Sequence, residues 1–148
     1  MVLTVEKHEG GVALVTLSEN ASKNTFNSNN IDTLINSLEN LMEDNTCLSI
    51  IITGTGKFFS AGGSINEFAD AIDEGNIGSL VGEMTGKLHS LLLKIRGSSK
   101  IFVAAINGSV AGGGLGLALA MDYRISISNA KLTAAFFPLG ASPDGGVT

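Results

Sequence analysis

Residues 101–122 read IFVAAINGSVAGGGLGLALAMD, and the division of that stretch decides the fold. Ile101–Ile106 is an unbroken apolar run of the length of a buried strand. Asn107-Gly108 is a turn signal. Gly112-Gly113-Gly114 then leads straight into Leu115–Met121, whose composition predicts a short apolar helix. A strand, a glycine turn and a helix start in succession present backbone N–H groups with no bulky side chain in front of them, where a ligand can approach. The same glycines would also serve close packing alone, so the stretch by itself leaves both readings open.

Working outward, the upstream sequence alternates strand and helix patterns. Leu3–His8 and Val12–Leu17 flank the turn Glu9-Gly10-Gly11 and predict a β-hairpin. Ser18–Asn30 is polar and Asn-rich, a loop. Ile31, Leu34, Ile35, Leu38, Leu41 and Met42 recur at helical spacing and predict an amphipathic helix over Ser28–Glu43. Ser49–Thr53 is a buried strand, Gly54–Lys57 a turn, and Phe58–Ser64 a loop of small residues. Ile65–Ala71 starts a helix, and Ile77–Ile95 continues as a long one stopped by Gly97-Ser98-Ser99. Downstream, Tyr123–Ser128 and Ala130–Ala134 read as strands, and Leu139–Gly146 is a third glycine loop. Strands alternating with helices imply an α/β fold with a mainly parallel sheet.

A length of 148 residues is one domain with room for a core. A net charge of −5 without a basic run argues against nucleic acid as partner. Cys47 is the only cysteine, which excludes an internal disulfide and fits a reducing, cytoplasmic setting. No secretory leader and no membrane span are expected.

Several familiar motifs fail. Gly112–Ala118 lacks the third glycine of a dinucleotide-binding turn, and Gly54-Thr55-Gly56-Lys57 lacks the leading glycine of a phosphate loop. Gly140-Ala141-Ser142-Pro143-Asp144 carries Asp144 where a nucleophile elbow needs glycine. His8 and His89 have no triad-like neighbours in sequence, and Cys47 has no partners at metal spacing, so no metal site is expected. What survives is three loops of small residues, Ser60–Ser64, Gly112–Gly114 and Gly140–Gly146, each expected to follow a strand. In α/β sheets such loops gather at one edge, where ligands bind. Two of them offer N–H donors and the third carries one carboxylate, Asp144. Two donors and one base are the minimum for forming and holding an enolate.

The three loops together resemble the crotonase (enoyl-CoA hydratase/isomerase) superfamily. Phe58–Ile65 is similar to its F-x-A-G-x-D-[LI] segment, and Ala104–Gly108 with Ala111–Gly114 to its A-A-[VI]-N-G-x-x-x-G-G-G segment. Leu139-Gly140 with Pro143–Gly146 is similar to its L-G-x-x-P-x-x-G-G region. The resemblance implies a ββα-spiral fold and an acyl-CoA thioester ligand, with coenzyme A as part of the substrate and no separate cofactor. It implies an oxyanion hole made by the N–H groups of Gly63 and Gly113. Ala61, Gly62, Ser64, Ile65, Gly112 and Phe136 would line the substrate. Lys57, Lys23 and the loop Asn20–Phe26 fall where coenzyme A would lie, although a solvated lysine is an equal reading of each.

The departures from the family pattern narrow the chemistry. The hydratase pattern has two glutamates, and the matching positions here are Gly116 and Phe136. Without them, positioning and activating water is not expected. Asp144 instead resembles the lone acid of the family's single-acid enoyl-CoA isomerases, with Phe136 and Phe137 expected to give it an apolar surround. Ser64 stands where the family usually has Asp. The resemblance thus implies an isomerase moving a double bond from the 3- to the 2-position of an enoyl-CoA. A hydratase-like enzyme of other specificity and a non-catalytic CoA-binding or assembly module are the alternatives. A dehalogenase or thioesterase using Asp144 as nucleophile is disfavoured for want of a neighbouring base. Residues 1–148 are expected to be the N-terminal core of the domain, truncated before the C-terminal helices that in the family build a homo-oligomer, a trimer or a dimer of trimers.

Overall fold

The computed structural model describes residues 2–18 and 23–147. Four strands alternate between buried and more exposed side chains because successive residues of a strand point to opposite faces of its sheet. The hairpin forms as expected from β1 (Val2–His8) and β2 (Val12–Ser18), joined by a 3-10 turn at Glu9–Gly11. Then follow α1 (Ile31–Glu43), β3 (Ser49–Gly54), β4 (Phe58–Ser60), α2 (Ile65–Asp73) and α3 (Ile77–Gly97). The decisive stretch divides into β5 (Ile101–Ile106), β6 (Ser109–Ala111) and α4 (Gly113–Ala120). The last elements are β7 (Tyr123–Ser126), β8 (Leu132–Thr133) and a 3-10 turn at Phe137–Leu139.

The strands sort into two sheets. The larger has the order β1-β2-β3-β5-β7, parallel except for the β1–β2 hairpin. The smaller has the order β4-β6-β8 and is parallel throughout. Each of β3, β5 and β7 thus sends the chain into a short strand of the small sheet before it returns, a ββα rhythm. Register keeps the inward side chains in rows: Val15 pairs with Ile52, and Ile52 with Ala104. All three are fully buried, under Leu34, Leu38 and Leu41 of α1 and Leu88, Leu91 and Ile95 of α3. The crossing between sheets needs bare backbone. A Cβ on Gly108 would stand 2.2 Å from the Lys57 carbonyl oxygen.

Several boundaries differ from the sequence reading. α1 begins at Ile31 rather than Ser28, because Asn27–Asn30 makes its own turn, with the Asn27 N–H donating to Asn30 Oδ1 at 3.0 Å. Phe58–Ser60 is a strand rather than loop, held by pairing to β6. α4 includes Gly113 and Gly114, which helix propensity alone excludes. A Cβ on Gly114 would lie 2.7 Å from the Ser60 Cβ, so packing of this helix against β4 selects glycine. The third glycine loop follows the Phe137–Leu139 3-10 turn and not a strand. Among the described residues, no helix is long and apolar enough to cross a membrane.

Candidate active site

The loops after β4 and β6 meet. A Cβ on Gly62 would stand 2.8 Å from the Ala111 carbonyl oxygen and 2.9 Å from the Gly113 nitrogen. Gly62 (φ 82°) therefore serves both the turn and the approach of the two backbones.

The first loop is fixed from the side by residues 23–26. Phe26 and Gly63 form a parallel β-bridge. In it the Phe26 N–H donates to the Gly62 carbonyl at 2.7 Å and the Ser64 N–H to the Phe26 carbonyl at 2.9 Å. The Ala61 N–H donates to the Lys23 carbonyl, and the Gly62 N–H to Ser60 Oγ. A parallel bridge uses the neighbours of the bridged residue and turns that residue's own N–H to the other side. Gly63 is thus the one amide of residues 61–64 that these bonds leave available. Two buried polar residues stiffen the clamp. Ser60 Oγ donates to the Asn24 carbonyl at 2.8 Å, and Asn24 Nδ2 to the Phe58 carbonyl at 2.8 Å.

The second loop ends as a helix start. Gly112 (φ 51°) caps α4 and donates its N–H to the Thr133 carbonyl at 3.2 Å. Gly113 heads the first turn, where N–H groups have no intrahelical acceptor. Beside it stands Leu88 of α3, whose Cδ2 lies 2.9 Å from a Cβ built on Gly113.

The same turn of α3 reaches Asp144. Thr85 Oγ1 donates to Asp144 Oδ2 at 3.3 Å, and the Gly145 N–H donates to His89 Nε2 at 2.9 Å. Thr85, Leu88 and His89 share one helix face, so Gly113 and Asp144 lie against adjacent positions of α3. His89 has no signal in sequence, because 56 residues separate it from Gly145. Its position removes the ground on which a nucleophilic Asp144 was disfavoured, since an imidazole does stand beside the loop. Its Nε2, however, already accepts the Gly145 N–H and is not free to take a proton from water.

The remaining candidates are spread out. Phe136 is buried, but Phe137 is 84% exposed, so the apolar surround expected around Asp144 from both rings does not form. Ser64 caps α2 by accepting the Glu67 N–H, and Ile65 is exposed at the helix start. Lys57 is exposed at the beginning of β4, the opposite end of that strand from Gly63, while the Lys23 ammonium lies 5.7 Å from the centre of the Phe58 ring. Residues 19–22, which include the start of the expected coenzyme A loop, lie outside the described residues. A cleft of roughly 340 Å³ runs between α3 and α4 from His89 past Gly145 to Arg96, and neither Gly63 nor Gly113 lines it. Among the described residues, no group of three His, Cys, Asp or Glu side chains is placed to hold a metal ion.

The profile of the enoyl-CoA hydratase/isomerase family matches residues 7–148. The chain belongs to this family. It is 30% identical over 140 residues to the trans-2-decenoyl-(acyl-carrier-protein) isomerase of Streptococcus mutans, covering 93% of this chain and 52% of that protein. It is 34% identical over 146 residues to the short-chain-enoyl-CoA hydratase of Clostridium acetobutylicum, covering 95% and 52%. The crystal structure of an enoyl-CoA hydratase from Polaromonas superposes with a TM-score of 0.87 at 30% identity, covering 97% of this chain and 55% of that one. The two-sheet architecture is thus the crotonase fold, and the chain spans about half the length of the relatives it matches. Relatives named as hydratases and as isomerases lie at similar identity, so likeness alone does not select the reaction.

Proposed function

We propose that this chain carries the thioester-binding and proton-transfer half of an enoyl thioester isomerase. The observation that supports it best is the pairing of two glycine loops at Gly62 and Gly113 beside a single carboxylate, with no acid at either hydratase position. In this reading the thioester oxygen of a 3-enoyl-CoA accepts hydrogen bonds from the Gly63 and Gly113 N–H groups. Asp144 takes a proton from C2, and the electron pair moves into a dienolate whose charge rests on that oxygen. The Asp144 carboxylic acid then returns the proton to C4, which leaves the double bond between C2 and C3. Each donor aimed at the developing charge supplies about 3–4 kcal/mol in comparable sites. Ala61, Gly62, Ser64, Ile65, Gly112 and Phe136 line the acyl end in this reading, and Lys57 or Lys23 meets the phosphates.

The same reading makes the protein an oligomer. Ile125 on the edge strand β7, and Phe137 and Leu139 beyond the small sheet, are exposed and supply apolar surface for a partner. The buried free thiol of Cys47 fits a cytoplasmic setting.

The experiment is an isomerase assay on 3-enoyl thioesters, following conjugation of the 2-enoyl product by absorbance. Both CoA and acyl-carrier-protein thioesters are supplied, since one relative is named for the latter. Asp144→Asn is expected to abolish turnover while CoA binding persists. Binding without turnover in the unmodified protein favours the non-catalytic module, and turnover unchanged in Asp144→Asn sinks the role of Asp144.

A further inference from the structure

We propose that Thr85 and His89 are positioning residues, a two-point clip on α3 that holds the 143–146 turn and thereby sets where the Asp144 carboxylate stands. The proposal rests on the reading of Asp144 as the base. The two residues are one helical turn apart, and they grip two consecutive turn residues: Thr85 Oγ1 donates to Asp144 Oδ2, and His89 Nε2 accepts the Gly145 N–H. On its other side the turn is stopped by α4, because the Gly145 carbonyl packs onto Gly116.

The turn needs such a clip. Gly145 (φ 61°) and Gly146 (φ 72°) follow Asp144 directly, and glycine has little conformational preference of its own. Within the turn there is one weak bond, from the Val147 N–H to the Asp144 carbonyl at 3.3 Å. The geometry of the carboxylate is therefore supplied from α3. Thr85 occupies Oδ2 and leaves Oδ1 to accept a proton.

The clip depends on the charge of the imidazole. Nε2 accepts only when His89 is neutral with its proton on Nδ1, and an imidazolium has no acceptor left. The charged groups around it are few. α4 carries none, and the turn brings Asp144. Arg96, further along α3, faces Asp122 at 3.4 Å. The α1 carboxylates nearest α3, Asp32 and Glu39, are paired with Lys87 and Lys94. α2 turns Ala71 inward and leaves Asp70 and Asp73 exposed.

The test compares His89→Ala, His89→Gln and Thr85→Val by steady-state kinetics and by amide exchange at Gly145. His89→Ala and Thr85→Val are expected to lower kcat about 10- to 100-fold with KM within about 2-fold, as a misplaced base does. His89→Ala also loses protection at Gly145. His89→Gln, whose amide oxygen also accepts, is expected to regain most of both. Lost protection with unchanged kcat overturns the positioning role while the base assignment stands. Retained protection in His89→Ala overturns the clip itself, whatever Asp144→Asn does. If Asp144→Asn remains active, the base assignment fails, and Gly145 protection still decides whether the clip exists.

Discussion

The carbonyl oxygen of Gly145 lies 2.7 Å from the point where a Cβ on Gly116 would stand. The position that carries the first hydratase glutamate in the family pattern is therefore filled here by the backbone of the turn that bears Asp144. Loss of one acid and placement of the other are a single packing arrangement.

It follows that an acid cannot simply be restored. Gly116→Ala is expected to cost about 1–3 kcal/mol in urea denaturation through overpacking against backbone. Gly116→Glu should cost more and lower isomerase turnover by displacing Asp144, without conferring hydration. A stable, hydrating Gly116→Glu variant would refute this account.

The two glycine loops differ in tolerance. Gly62→Ala meets backbone on two sides and a left-handed φ, and is expected to cost about 2–4 kcal/mol and to abolish thioester binding. Gly113→Ala meets only the end of the Leu88 side chain, so it should cost about 1 kcal/mol. Thermal denaturation of the pair checks the order.

Thr25 carries a buried hydroxyl with no hydrogen-bond partner among the described residues. Thr25→Val keeps the shape and removes the unsatisfied group, while the Thr25 carbonyl still accepts from Asn30 Nδ2. A gain of about 1 kcal/mol is expected in chemical denaturation.

The Lys7 ammonium, then the side chain and N–H of Thr46, hold the Asp44 carboxyl well below the usual carboxylate range. A depressed carboxyl contributes stability above its unfolded pKa and loses it as pH falls towards the folded value. The unfolding midpoint of the protein should fall as pH drops below about 4, and Asp44→Asn should flatten that fall. An equally steep acid limb in the variant would count against the pair.

Much of the fold was legible in sequence because burial and period coincide. Ile101–Ile106 reads as a strand since Phe102, Ala104 and Ile106 are buried and the run lies between β3 and β7. Leu88, Leu91 and Ile95 mark α3 by spacing alone. The two glycine loops were legible as stretches of bare backbone, and Gly62 does lie against the Gly113 nitrogen. Three features were not. Phe58–Ser60 is too short for a periodic signal and is a strand only through its partner β6. Gly113-Gly114 is helical against propensity, and at Gly114 the glycine is required because Ser60 leaves no room for a Cβ. The contacts of Thr85 and His89 with Asp144 and Gly145 join positions far apart in sequence, and nothing local announces them.

The pairing of β4 with β6 also ties the formation of the small sheet to that of the large one. Phe58 pairs with Ser109 and Ser49 with Ile101, so the two sheets close over nearly the same length of chain. Once β3 and β5 have paired, β4 and β6 meet at little further entropic cost. The glycine loops that follow β4 and β6 therefore take shape together with the large sheet.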